Sequence, residues 1–302
     1  MELKKTEKKL EEYKDSTLLS MVFTDIDVFF ATVSFIKTVL IHFFLAQFAR
    51  KLGLTRTPIA KVDNDLDKKI PFTPSKVGTY LDFTSFWFRP LSMLIKKLGR
   101  KKAKPYILKF LHKINLAYSS AAKVYETCMS TTDRPRYHKM FYFRVIHIFD
   151  PHYLCVPSLH ITVVALAWNF YREAFKGIPE LTEEEKKLYL EEIYEGSIKI
   201  AETVLYIKQH SVNCIPAALY MMTFIMKPYF TANDAIQFLH DMFLDSDISP
   251  EDQKQMKDYM YFIFERFLLA GVTGDNWIEP IKAWLKEYCI ASNQAHIAEK
   301  IK

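Results

Sequence analysis

Glycine is scarce in this chain: 7 residues in 302, against 24 phenylalanines and 17 tyrosines. Turn-dense β folds and glycine-rich phosphate loops need glycine for positive φ and for close backbone approach. No GxGxxG or GxxxxGKS run occurs, so nucleotide binding of that kind is excluded. Cysteine is also sparse. Cys128, Cys155, Cys214 and Cys289 are widely scattered, with no CxxC pair. They read as buried thiols, and neither a disulfide framework nor a zinc site is indicated. The first residues, Met1 to Glu12, mix charges and show no secretory signal pattern. The net charge of +6 suits an anionic partner such as a phosphate ester or a membrane surface, and implies no nucleic acid.

What the chain has is apolar and aromatic mass. Half the residues are hydrophobic and 15% are aromatic, yet 25% are charged. The length allows one large or two modest domains. A spanning helix wants about 20 mostly apolar residues. Tyr153 to Tyr171 is free of Asp, Glu, Lys and Arg, Ser211 to Met226 nearly qualifies, and 16–48 is very hydrophobic but carries Asp25, Asp27 and Lys37. Hydropathy fits buried helices and membrane spans equally. The expected location is a membrane, integral or peripheral, with the cytoplasm as the alternative.

Strand signals are weak throughout and the chain reads as all-α. Residues 1–15 form a charged, solvated lead-in. Residues 16–52 form one long apolar helix ending near Gly53, or two broken around Asp25 and Asp27. The stretch 54–76, with Pro58, Pro71 and Pro74, is a loop; its Asp63, Asp65 and Asp67 lack the glycine and glutamate of a calcium loop. An aromatic run, Tyr80 to Pro90, precedes a basic cluster from Lys96 to Lys104, read as a water-facing connection between helices ahead of an anionic-membrane contact. From Pro105 to Met129 one broad face holds Ile107, Phe110, Leu111, Ile114, Leu116 and Ala117. Pro157 starts a helix running to about Phe175. The capping box Thr182-Glu183-Glu184-Glu185 opens another of roughly 25 residues that carries Thr203, Lys208 and His210. Later starts stand at Thr231 and Ser249, and a last helix begins at Trp277. Three regions follow: 1–130, an N-terminal helical part; 131–230, a core with both histidine motifs; and 231–302, a C-terminal helical extension.

Two histidines stand out. Pro157-Ser158-Leu159-His160 and Tyr206-Ile207-Lys208-Gln209-His210 each place an imidazole in an apolar setting, where its donor and acceptor must be satisfied. Upstream lies Arg134-Pro135-Arg136.

In that order and spacing, these pieces resemble the type 2 phosphatidic acid phosphatase and vanadium haloperoxidase superfamily. Pro157 to His160 resembles its PSGH signature, Arg134-Pro135 resembles the end of its first motif, and Thr203 to His210 resembles its third. The Lys-Gln-His form looks like the lipid-phosphotransferase branches. The likeness covers about residues 134–220 and implies a helical bundle of that type with extra terminal helices. It implies that His210 attacks phosphorus to form a phosphohistidine and that His160 protonates the leaving alcohol. Arg134, Arg136, Ser158 and Lys208 would hold the phosphate, with no metal and no cofactor. The implied partner is a phosphate ester, a lipid one by the apolar surplus, at a membrane surface or bilayer.

The departures are specific. Cys214 stands where the family has the aspartate that orients the nucleophile. Val204 and Thr127 replace an arginine and a lysine of the phosphate clamp. Losing such an orienter costs up to roughly 10⁴ in turnover in the serine-protease analogue; Glu202 and Asp150 are the nearest substitutes in sequence. The alternative is therefore a weakened relative that binds lipid phosphate or serves a structural role in the membrane. His42, His112, His240 and His296 read as satisfied core residues, and His147 and His152, which flank Asp150, as intermediate. Cys155 and Cys214 lie beside the histidines but show no third orienting group. A metal site from His147, His152 and His160 lacks i, i+4 spacing.

Overall fold

A computed structural model describes residues 8–272, 274 and 276–301. The first part of the charged lead-in, 1–7, lies outside the described residues. The chain is predominantly helical, as its periodicity predicts. In order come α1 (Asp15–Thr24), α2 (Ile26–Val39), α3 (Ala46–Lys51), α4 (Val77–Leu81), α5 (Phe83–Leu98), α6 (Arg100–Thr127), α7 (Phe141–Phe149), α8 (Leu159–Lys176), α9 (Glu183–Tyr206), α10 (Cys214–Ile225), α11 (Ala232–Asp241), α12 (Pro250–Val272), α13 (Ile278–Ala291) and α14 (Ala295–Ala298). Two three-residue strands, β1 (Ile59–Lys61) and β2 (Met129–Thr131), pair in parallel with Ala60 opposite Ser130.

The predicted starts have local causes. Asp25 breaks the N-terminal apolar run into two helices, because its Oδ1 accepts the orphan amides of Asp27 and Val28 and caps α2. The Thr182 hydroxyl accepts from Glu185 N while the Glu185 carboxylate accepts from Thr182 N, closing the capping box of α9. Thr231 and Asp234 repeat that pattern at α11. The helix beginning after Pro157 starts at Leu159, with Ser158 as its N-cap.

One hydrophobic core draws on all three regions, from Leu10 to Ile301. At its centre α8 packs on α9, α6 and α10, and both apolar stretches that passed as spans, in α8 and α10, are buried there. The basic cluster is tied down by carboxylates: Lys97 pairs with Glu185, Lys102 with Glu180 at 2.7 Å, and Lys104 with Asp27 at 2.6 Å. It joins helices, as the water-facing reading expects. On the α6 face, Ile107, Phe110, Leu111, Ile114 and Ala117 are buried, whereas Leu116 is exposed and leaves that face. The histidines taken for core residues are not core: His112, His240 and His296 are exposed, and His42 lies at the surface facing Glu126 at 3.6 Å.

One long apolar helical run sits at the edge of that core, giving it Val28. α2 continues through a wider turn, Leu40–Leu45, into α3, and the whole run, Ile26–Lys51, is long and apolar enough to cross a membrane. Its inner side lies along α6, while Phe23 just ahead of it and Phe30, Val33, Ile36, Leu40 and Leu45 are exposed.

Candidate functional site

The two motif histidines meet. Nδ1 of His160 lies 3.4 Å from Nε2 of His210, and Ser158 Oγ is 3.2 Å from the same Nε2. Position follows from the local chain. His160 is the second residue of α8, in its first turn. His210 was expected on α9, but that helix stops at Tyr206 and His210 stands in the loop beyond it. The stop is made by Lys208, whose φ is 56°, and by Val204 O, which accepts from both Gln209 N and His210 N. Asp67 then fixes the outgoing loop by accepting from Val212 N at 2.9 Å.

Tyr80 and Phe83 pack their rings against His160, each with centroids 4.7 Å away. Burial in this apolar setting holds His160 neutral, its pKa pushed down to about 4. Burial first, then His160 and His152, push His210 well below its ordinary value. Nε2 of His210 faces Ser158 Oγ and Nδ1 of His160, while its own Nδ1 lies on the other side of the ring. That Nδ1 is buried without a hydrogen-bond partner.

The residues expected to hold phosphate are dispersed. Ser158 is at the histidine pair. Arg134 is beside the cavity but occupied: its guanidinium donates to Gln209 Oε1 at 3.1 Å, to Asp150 O at 3.0 Å and to Asp150 Oδ2 at 3.4 Å. Arg136 is exposed and is not part of the cavity wall. Lys208 points away, its ammonium donating to the carbonyls of Asp67 at 2.5 Å and Ile70 at 2.6 Å. Thr203 Oγ1 is bonded back to Lys199 O within its own helix. Neither substitute carboxylate reaches His210: Glu202 accepts from Phe243 N, and Asp150 serves Arg134 and His152.

A cavity of about 340 Å³ opens over the pair, within the usual range for small-molecule sites. Its polar floor is Asp150, His152, Cys155, Gln209 and the two histidines; its walls include Val39, Phe43 and Phe44 from the α2–α3 run and Val145 and Phe149 from α7. Both walls continue outward as exposed apolar surface, through Leu40 and Leu45 on one side and Ile148 and Phe149 on the other. Among the described residues, no three His, Cys, Asp or Glu side chains are grouped to hold a metal ion.

Reading the sequence missed Tyr80, Phe83, Gln209 and the group around His152. Tyr80 and Phe83 sat in the conspicuous aromatic run, but nothing in their spacing points to a histidine about 80 positions later. Compared with known proteins, the chain matches no family model, no curated protein and no solved structure. Fold and site define an all-α protein with paired neutral histidines under an apolar cavity, beside a helix able to cross a membrane.

Proposed function

We propose that this protein acts on a phosphate ester carried on an apolar chain, through a phosphohistidine at His210. The observation that carries the reading is the meeting of His160 and His210, at 3.4 Å, on the floor of a cavity walled by apolar side chains. A neutral imidazole nitrogen with a free lone pair is the nucleophile phosphoryl transfer needs, and in this reading Nε2 of His210 takes that role. Its bond to phosphorus forms as the ester oxygen leaves; His160, neutral at rest, relays to that oxygen the proton that a phosphate monoanion brings. Water or a second alcohol then receives the phosphoryl group; an alcohol would make the reaction a phosphotransfer. Ser158 and the first amides of α8 suit the phosphate oxygens, since a helix N-terminus attracts anions. Phosphorus does not fit between rings already in contact, so His160 swings aside on binding. The lipid-phosphatase type of bundle suggested by the motifs belongs to this same proposal.

A second reading has its own observation. Glu202 and Asp150 are both engaged away from the His210 ring and Arg134 is already bound by Asp150 and Gln209, which favours binding of lipid phosphate without turnover.

One experiment separates the two. Purified protein in detergent is given p-nitrophenyl phosphate and, separately, phosphatidate vesicles. Phosphate release that His210→Ala abolishes supports the enzyme. Protection against thermal unfolding by vanadate, with no release, supports the binder. Release unchanged by His210→Ala sinks the histidine assignment.

A further inference from the structure

The same cavity holds a second group that phosphoryl transfer does not use. Cys155 Sγ lies 3.7 Å from Nε2 and 4.0 Å from Nδ1 of His152. His152 is held from two sides: Thr132 Oγ1 is 2.7 Å from Nε2, and Asp150 Oδ2 is 3.8 Å from Nδ1. Asp150 Oδ1 also accepts from His152 N at 2.9 Å. The third orienting group that looked absent in sequence is therefore this aspartate, brought in through a histidine three residues before the thiol.

The backbone is built to present the cluster. His152 adopts φ 68°, in the left-handed region that a non-glycine residue rarely occupies and that concentrates at functional sites. Beyond it the chain is stitched to β2: Ser130 N donates to Tyr153 O, Cys155 N to Ser130 O and Val156 N to Ser130 Oγ. The backbone around Cys155 is thereby fixed. Among the four cysteines it alone lines the cavity.

Charge points the same way. Burial alone would raise the thiol, but Cys214 and His152 together bring Cys155 below its ordinary value. Burial alone would lower His152, but Cys155 and Asp150 lift it. Both directions favour passing the thiol proton to His152, as at reactive cysteines. The other ionisable groups facing it are Arg134, His147, His210, Cys214, Tyr80 and Tyr125.

We propose that Cys155, His152 and Asp150 form a second nucleophilic site in this cavity, one that accepts an acyl group from a thioester of an apolar chain. A thiolate attacks carbonyl carbon readily, and the apolar walls from α2, the Leu40–Leu45 turn and α7 suit the chain. In the step, Cys155 Sγ bonds to the carbonyl carbon and the carbon–sulfur bond to the leaving thiol breaks. That thiol departs with the proton of the His152 imidazolium, leaving an acyl-Cys155 thioester and neutral His152. Water or an alcohol, its proton taken by His152, then releases the acyl group. No oxidant or metal is involved, and the outcome is independent of phosphate turnover.

The full chain is tested with two probes. p-Nitrophenyl hexanoate stands in for the acyl thioester and is expected to give a burst of nitrophenolate, one per chain, with the hexanoyl mass on Cys155. Iodoacetamide is expected to alkylate Cys155 at a rate nearly flat from pH 7.5 to 6.5, where an ordinary thiol, pKa ~8.5, slows about tenfold per unit. Asp150→Asn or His152→Gln should restore the steep dependence and slow acylation at least tenfold. No burst, an acyl group on another residue, or a tenfold-per-unit fall in wild-type alkylation overturns the proposal. The wild-type measurements decide it even if a variant fails to fold.

Discussion

Nδ1 of His160 and Nε2 of His210 sit 3.4 Å apart, a contact between two neutral rings that closes the space a phosphorus atom would need. Any ligand that bonds to Nε2 must displace His160 from its place against Tyr80 and Phe83. Vanadate or phosphate at a hundred times its dissociation constant should stabilise the protein by about 2.7 kcal/mol. The shift, read as Tm by calorimetry, should vanish in His210→Ala. A shift that survives that substitution would place the anion elsewhere.

The same pair sets an acid limit. His160 and His210 both have folded pKa values below the unfolded value, so the unfolded chain binds more protons. Stability is full above about pH 6.5 and falls as pH drops toward 4. His160 alone accounts for about 3 kcal/mol at 1.4 kcal/mol per unit. Urea midpoints between pH 7 and 4 check this; His160→Phe should flatten part of the fall.

The α5–α9 contact depends on a missing methyl group. A Cβ on Gly196 would lie 2.7 Å from Cε2 and 3.2 Å from Cδ2 of Phe86. Alanine gains about 1 kcal/mol in a helix interior over glycine, but overpacking costs about 1–3 kcal/mol. Gly196→Ala should therefore destabilise by up to about 2 kcal/mol, and Phe86→Leu in the same chain should recover part of that loss. A more stable Gly196→Ala protein would show that the ring yields freely.

The capping box of α9 gives a cleaner number. Thr182→Ala removes the acceptor for Glu185 N and should cost about 1 kcal/mol, while Thr182→Asp should be close to neutral. Chemical denaturation measures both.

The exposed face of α2 makes a prediction about location. Val33→Glu with Ile36→Glu puts two charges on solvent-facing positions. In water such surface changes stay within about 0.5 kcal/mol, whereas in a bilayer each charge costs about 2.5 kcal/mol or more. Loss of the protein from the membrane fraction, with an unchanged fold by circular dichroism, is the expected result. Unchanged fractionation would mean this face does not meet lipid.

Much of this was legible along the chain because its causes are local. Asp25, Thr182 and Thr231 announce helix starts, since each side chain satisfies amides within three residues of itself. The core face of α6 shows in its 3.6-residue period, although Leu116 at its margin does not follow. The site was legible only as a pair, His160 and His210, each beside a recognisable short pattern.

What the local sequence determined is thus the helical character of the chain, most helix starts and the two histidines worth attention. Only tertiary structure decided which apolar stretch stays at the edge of the core, because α2, α8 and α10 each carry a long apolar run and differ in what packs on them. It decided that Arg134 would be held by Asp150 and Gln209, and that Lys208 would turn to the carbonyls of Asp67 and Ile70, partners up to 141 positions away. And it gave Cys155 a histidine anchored by Thr132 and Asp150. Such pairings depend on loop paths and competing hydrogen bonds that no periodicity encodes.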